Sequence, residues 1–155
     1  MLWPGDAAIW PAVAPVLFPT CGWSRNGLIR MGETRYPMPV HGFAAQSPFT
    51  ATQISESEIR FALQADAATR AHYPFSFMLA LHYALTPTSL AVTFEIENRD
   101  TQIMPYAVGL HPGFAVNWAA GPHRFVFDKP ERAEVPVIAP GGLFSPKQRP
   151  VPLKG

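Results

Sequence analysis

Residues 89–118, SLAVTFEIENRDTQIMPYAVGLHPGFAVNW, contain two alternating segments, a polar turn between them and a His-Pro-Gly-Phe sequence after the second. Residues 90–97 alternate between apolar and small or charged side chains, the pattern of a half-buried antiparallel strand. Turn-forming side chains follow at 98–100. Residues 104–111 alternate in the same way and bring His111 to a strand end beside small residues. We therefore expect an imidazole at an open, concave position suited to a ligand.

Composition restricts the kind of protein. The chain has 155 residues, 48% of them hydrophobic, which is enough for the core of one domain over residues 1–155. Its 11 glycines and 18 prolines disfavour long helices. The formal net charge is only +1, and lysine and arginine do not cluster along the sequence, so we expect no nucleic-acid partner.

The cysteine content and the length of the hydrophobic runs indicate in which cellular compartment the protein is expected. Cys21 is the only cysteine, which excludes an internal disulfide framework and fits a reducing compartment. The N-terminal residues show no basic leader followed by a long apolar run, and no apolar stretch approaches the ~18 residues of a transmembrane helix. We therefore expect a cytoplasmic protein with no signal peptide and no membrane partner.

Strand patterns recur along the rest of the chain, and only residues 65–71 have helical composition. The cleanest alternation, at 75–85, is joined to the segment at 89–98 by Thr86-Pro87-Thr88, so these two are expected to pair as a hairpin. The other predicted strands are 16–18, the hairpin 27–36 with its turn at Gly32-Glu33, 49–54, 58–63, 124–128 and 135–138. Short strands separated by turns predict an all-β sandwich or barrel.

Five histidines are candidates for acid–base chemistry, and two of them share a local pattern. His41 precedes Gly-Phe-Ala and His111 precedes Pro-Gly-Phe, so each leads from an extended segment into a tight corner. Histidine has an unperturbed pKa of about 6.5, close to the pH at which an acid–base group works. The structural alternative is that both imidazoles only hydrogen-bond the backbone of their loops. His82 is expected to be exposed, and His72 and His123 have no predicted role.

Other residue patterns suggest further chemistry. The histidine spacings lack a close pair with a carboxylate, which disfavours a cupin-like metal site. Glu95 and Glu97 share a strand face, which suits a solvated face better than the carboxylate pair of a glycosidase. Cys21 has no adjacent cation to activate it as a nucleophile. The tryptophans lie outside the strand pattern, where their rings can stack on a sugar.

Several motifs, in order, resemble the aldose 1-epimerase (galactose mutarotase-like) family, and its lactose-operon-type branch in particular. The resemblance runs from about residue 2 to 114 and continues more weakly to 153. It implies an antiparallel β-sandwich of the galactose mutarotase-like type with an open sugar cleft, and interconversion of α and β anomers without a metal or organic cofactor. The motifs are Trp3-Pro-Gly-Asp, Trp10, Ala14-Pro-Val-Leu-Phe-Pro, His41-Gly-Phe-Ala and Pro105-Tyr-Ala-Val-Gly-Leu-His-Pro-Gly-Phe.

The resemblance also implies site residues. His111 matches the histidine that protonates the ring oxygen, and His41 matches the second cleft histidine, which contacts or orients the sugar. Family members of this type usually carry Arg-Asp where this chain has Ala45-Gln46. They also carry an arginine where this chain has Trp23, and Arg25 lies two residues further on. The expected catalytic residues are therefore His111 and His41, and the expected substrate-binding residues are His41, Arg25 and Trp23.

The family's catalytic base is a glutamate near the C-terminus of a longer domain, and Glu131 and Glu134 come too early to match it. We therefore expect a partial domain, incomplete at both ends, with exposed strand edges that favour self-association. The expected function is an aldose 1-epimerase, an isomerase of carbohydrate metabolism acting on a monosaccharide such as an aldohexose. The alternatives are a non-catalytic carbohydrate-binding module and a fragment without a function of its own, and a glycoside hydrolase is disfavoured.

Overall fold

In a computed structural model, which describes residues 3–121, 126, 128, 134–139 and 143–150, strands dominate the chain. The short helix α1 spans Ala67–His72. Among the described residues, no helix is long and apolar enough to cross a membrane. The strands are β1 (Val16–Leu17), β2 (Leu28–Met31), β3 (Thr34–Pro37), β4 (Thr50–Ser55), β5 (Glu58–Gln64), β6 (Phe77–Leu85), β7 (Leu90–Asn98), β8 (Gly109–Leu110), β9 (Glu134–Ala139) and β10 (Leu143–Pro150).

The main sheet is antiparallel, with strand order β4-β5-β6-β7. Its registers place Leu63 opposite Leu79 and Leu79 opposite Ile96, so one face of the sheet is continuously apolar. The predicted hairpin between β6 and β7 is confirmed, and the hydroxyl of Thr86 accepts a hydrogen bond from the backbone N–H of Ser89 (3.0 Å) in the connecting turn. The all-β, antiparallel prediction is confirmed.

A second layer packs on the apolar face of this sheet. It contains the two-stranded ladders β1-β8 and β2-β3, and the β2-β3 hairpin has the predicted turn at residues 32–33. The ring of Phe18 is fully buried and lies 5.1 Å from the ring of Phe77 and 6.2 Å, edge-on, from that of Phe43. This aromatic contact joins the two layers into one core, as in a sandwich.

The segment 104–111 was predicted as a strand, and this is wrong for most of its length. Only Gly109–Leu110 is a strand, and it pairs with β1 rather than with β7. Pro105 has no backbone N–H to give to a ladder, and its carbonyl instead accepts the hydroxyl of Tyr73 (2.8 Å). The N–H of Ala107 donates to the carbonyl of Pro19 (2.8 Å). Separate hydrogen bonds to different parts of the chain thus satisfy the backbone groups of Pro105 and Ala107, in place of a ladder with one partner strand.

The opposite face of the sheet carries charged side chains. Arg60 pairs with Glu95 (2.8 Å) and Arg99 pairs with Glu97 (2.8 Å), so the two glutamates lie on a solvated face and do not form a catalytic carboxylate pair. His82, expected to be exposed, is only partly exposed. Its Nε2 lies 3.4 Å from a carboxylate oxygen of Glu58, without hydrogen-bond geometry. The ion pairs of Arg60 and Arg99 therefore account for the two glutamates on this face without a ligand.

Two other predicted segments have different outcomes. The helical segment at 65–71 forms α1, which begins at a capping box: Asp66 accepts from the N–H of Thr69 (2.8 Å), and the Thr69 hydroxyl accepts from the N–H of Asp66 (2.9 Å). The predicted strand at 135–138 is confirmed as β9, which pairs with β10. The strand predicted at 124–128 lies outside the described residues, apart from 126 and 128.

Truncation of Leu79 tests the core. Its side chain is fully buried between the two layers, so Leu79→Ala should lower the free energy of unfolding by about 2–5 kcal/mol, measured by urea denaturation. Leu90→Ala is the matched control, because Leu90 lies on the same sheet with 45% of its surface exposed. Equal losses for the two variants would contradict this assignment of the core.

Candidate active site

His41 lies in a corner that folds around the backbone of Phe18. The carbonyl of His41 accepts the N–H of Phe18 (3.2 Å), and the carbonyl of Phe18 accepts the N–H groups of Phe43 (3.0 Å) and Ala44 (3.2 Å). Gly42 has φ 76° and passes so close to the Phe18 carbonyl that a Cβ there would overlap it. The glycine of the His-Gly-Phe-Ala sequence is therefore required by the backbone geometry at this corner.

The imidazole of His41 has a defined orientation and proton position. Its Nδ1 accepts the backbone N–H of Gly22 (2.9 Å), so the neutral ring carries its proton on Nε2. A second bond, from the His41 N–H to the Gly22 carbonyl (2.9 Å), fixes the two segments together. Burial, and secondarily the charge of nearby His111, lower the pKa of His41. At neutral pH His41 is therefore a neutral hydrogen-bond donor.

His111 directly follows β8, at a strand end as predicted, and its side chain is exposed. Its N–H donates to the carbonyl of Pro15 (3.1 Å), and the N–H of Gly113 donates to the carbonyl of Val13 (2.9 Å). The ring of Trp10 lies 5.1 Å from the His111 ring. No local sequence pattern indicates this contact, because the two residues are far apart in the chain.

Trp3 and Trp10 pack together against the corner after His111. The indole N–H of Trp3 donates to the carbonyl of Trp10 (3.0 Å), and the backbone N–H of Trp3 donates to the carbonyl of Gly113 (3.0 Å). A Cβ on Gly113 would lie 2.7 Å from Cβ of Trp3 and 3.0 Å from an edge carbon of Trp10. Glycine is thus needed at 113 for the tryptophans to reach His111.

The two predicted histidines lie next to each other. Their ring centroids are 5.4 Å apart and the ring planes are inclined by 57°. One ring is held by the Gly22 amide and the other contacts Trp10, so the pair is built by four separate segments of the chain. Two adjacent imidazoles disfavour double protonation, so the arrangement can present one charged acid and one neutral donor to the same ligand.

A groove of about 810 Å³ adjoins His41. Its walls come from residues 12–16, 40–42 and 44–47, which include Ala45 and Gln46, the positions where the sequence departs from the family pattern. Its floor is formed by the half-exposed aromatic rings of Phe61 and Tyr83 on the main sheet. The size and lining suit a small organic ligand with both polar and apolar faces.

The other candidate residues lie elsewhere. Trp23 is 64% exposed, and Arg25 lines a different groove on the β2-β3 hairpin. His72 Nδ1 bonds the carbonyl of Pro37 (2.7 Å), and His123 lies outside the described residues. Within the described part of the chain, no group of three or more His, Cys, Asp or Glu residues is arranged to hold a metal ion. The structure thus brings together His41 and His111, and it does not bring Trp23 or Arg25 into the groove beside them.

Comparison with known proteins gives consistent matches. A family model described as aldose 1-epimerase matches residues 2–132. The plasmid-encoded protein LacX of Lactococcus lactis subsp. lactis is 33% identical over 119 residues, which cover 73% of this chain and 40% of that protein. The match therefore spans well under half of that relative's length.

Solved structures also resemble this one. A galactose mutarotase-like protein from Lactobacillus casei is 39% identical with a TM-score of 0.69, over 72% of this chain and 38% of that one. A galactose mutarotase related enzyme from Lactobacillus acidophilus is 25% identical with a TM-score of 0.80, over 97% of this chain and 52% of that one. These likenesses confirm the galactose mutarotase-like β-sandwich that the motifs implied.

Substitution of Gly113 tests the packing behind His111. In Gly113→Ala the added Cβ should displace Trp3 and Trp10 and change the environment of the His111 ring, seen as shifted ring resonances in the NMR spectrum. Gly109→Ala is the control, because a Cβ there meets only ordinary contacts, 3.5 Å from the sulfur of Cys21. Unchanged His111 resonances in a folded Gly113→Ala variant would contradict this contact.

The environment of His41 predicts how its protonation, and with it the stability of the fold, depends on pH. NMR titration should give His41 a pKa below about 6.5, and His111→Ala should raise it only partway, because burial is the larger cause. At pH values between the lowered pKa of His41 in the folded protein and its ordinary pKa in the unfolded chain, the unfolded chain binds more protons. The stabilisation from neutral His41 is therefore complete above about pH 6.5 and is lost as the pH falls towards the lowered pKa. A pKa of His41 above 6.5 would overturn this account.

Proposed function

This chain belongs to the aldose 1-epimerase family, and on that premise we propose that its histidine pair serves the interconversion of the α and β anomers of an aldose. The observation that carries the proposal is the 5.4 Å separation of the His41 and His111 rings, together with the open groove that His41 lines. An aldohexose is the substrate we propose, because a polar pair next to aromatic rings matches a sugar's hydroxyl edge and apolar face.

The reaction needs one acid and one base. In the proposed mechanism His111 in its charged form gives a proton to the ring oxygen while a base removes the proton of the anomeric hydroxyl. The bond between C1 and the ring oxygen breaks, and C1 becomes a carbonyl carbon. Rotation about the C1–C2 bond turns the other face of the carbonyl to the oxygen. The reverse proton transfers then close the ring as the other anomer.

His41 has a different role in this proposal. Its Nδ1 is occupied by the Gly22 amide, so the proton on Nε2 is available to a sugar oxygen. Its lowered pKa keeps His41 neutral at neutral pH, so it can act as a hydrogen-bond donor. His41 therefore orients the substrate, and His111 supplies the proton. No organic cofactor or metal is part of this mechanism.

The base is proposed to lie outside the described residues. Among these residues, no carboxylate forms an ion pair with either histidine. The relatives are longer than this chain, and the family resemblance implies a glutamate in the part that they have in addition. We propose that a carboxylate of this kind completes the acid–base pair.

A second candidate function is carbohydrate binding without catalysis. It is favoured by the same lack of a paired carboxylate and by Ala45 and Gln46 in the groove wall, where the family usually has Arg-Asp. Trp23 and Arg25 remain proposed as further sugar contacts. The two candidate functions differ in one measurable property, because only the enzyme exchanges anomers.

Location and assembly are also proposed. We place the protein in the cytoplasm, since its single cysteine, Cys21, fits a reducing compartment. Self-association is favoured by the apolar residues Leu85 (58% exposed) and Leu90 (45% exposed) at one end of the main sheet.

Anomer exchange can be measured directly by NMR saturation transfer between the α and β signals of glucose and galactose. In a protein that includes the proposed carboxylate, we expect exchange above the uncatalysed rate, reduced by roughly 10²–10⁴-fold in His111→Gln and less in His41→Gln. His82→Gln, whose ring lies on the opposite sheet face, is the control and should exchange as fast as the original chain.

The same samples separate the candidates. Sugar-dependent shifts of His41 and His111 without anomer exchange would select the binding module. Absence of both, in a chain with a cooperative unfolding transition, would overturn the proposed function.

A further inference from the structure

The β2-β3 hairpin gathers positive charge that the sequence does not reveal. Arg30 and Arg35 are five positions apart in the chain, but the strand register places them directly opposite each other. Arg25, in the turn before β2, lines the same groove of about 640 Å³. Asn26, Leu28 and Ile29 complete its lining.

Within the described residues, none of these three arginines has an ion-pair partner. The arginines of the main sheet differ, since Arg60 and Arg99 each contact a glutamate at 2.8 Å. Like charges directly opposite each other in an antiparallel pair destabilise the sheet. The hairpin thus carries an unfavourable pair, Arg30 and Arg35, and no described carboxylate forms an ion pair with either of them.

The hairpin is also held firmly. Ile29 and Met31 pack against the core, which leaves Arg30 on the outer face. The N–H of Met38 donates to the carbonyl of Gly27 (2.8 Å) and ties the base of the hairpin to the chain beyond it. The guanidinium groups are therefore presented from a fixed backbone, which reduces the entropy lost when they bind a ligand.

We propose that this groove binds a phosphate group, either free phosphate or a phosphate monoester. A guanidinium pairs with phosphate oxygens through two parallel N–H···O bonds, and a dianion between Arg30 and Arg35 replaces their repulsion by attraction. The groove shares no lining residue with the groove beside His41. Of the residues proposed for the sugar, only Arg25 lines this groove. The phosphate proposal rests on the facing pair Arg30 and Arg35, which has no part in the proposed sugar chemistry.

The test is an NMR titration of the whole chain at low ionic strength, observing the arginine side-chain N–H signals. Inorganic phosphate should shift the signals of Arg25, Arg30 and Arg35 with saturation, whereas chloride at equal ionic strength should not. Arg35→Gln should weaken phosphate binding by about tenfold or more, since a charged hydrogen bond contributes roughly 1.5–3 kcal/mol and 1.4 kcal/mol is tenfold. Glycerol phosphate, titrated in parallel, distinguishes a monoester site from a free-phosphate site by its affinity.

Arg99→Gln is the matched control, because it removes the same charge from an arginine that is already paired with Glu97. It should leave phosphate affinity unchanged. Equal shifts of Arg99 and the three groove arginines, without saturation, would overturn the proposal in favour of general charge screening. Because all four arginines are exposed, their replacement should not unfold the chain, and the shifts in the unsubstituted protein remain a direct measure of binding.

Discussion

The backbone of Phe18 is the point on which the rest of the structure depends. Its carbonyl accepts two N–H groups from the segment after His41, its N–H donates back to His41, and its ring fills the space between the two layers. The same residue thus closes the core and sets the position of the histidine loop. A buried carbonyl with two donors is costly to disturb, so the orientation of His41 is coupled to the stability of the core.

The histidine pair shows how neighbouring groups of one type acquire different roles. Two imidazoles with the same intrinsic pKa become unlike when one is partly buried and bonded to an amide while the other is exposed. The pKa of His41 is lowered by burial and by the charge of the neighbouring imidazole, without a carboxylate partner among the described residues. In this sense the site resembles other acid–base sites, where environment assigns the roles.

The sequence predicted the features that depend on local pattern. The strands β6 and β7 alternate with period two because one face of the sheet is covered, and both histidine corners follow from their glycines. The segment 104–108 was mistaken for a strand because alternation does not show whether a partner strand exists. The contact of Trp10 with His111 and the meeting of Arg30 with Arg35 depend on chain crossing and register, which no single stretch of sequence contains.

The hydrogen bond from the Gly22 amide to His41 affects how this site can evolve. The donor is a main-chain group, present whatever side chain stands at that position, with proline the exception. The groups that positions 45 and 46 contribute to the groove wall are side chains, which single mutations can exchange. The ligand that the groove prefers can therefore change within a lineage while the proton of neutral His41 stays on Nε2. A new binding preference then does not require a new arrangement of the His41 imidazole.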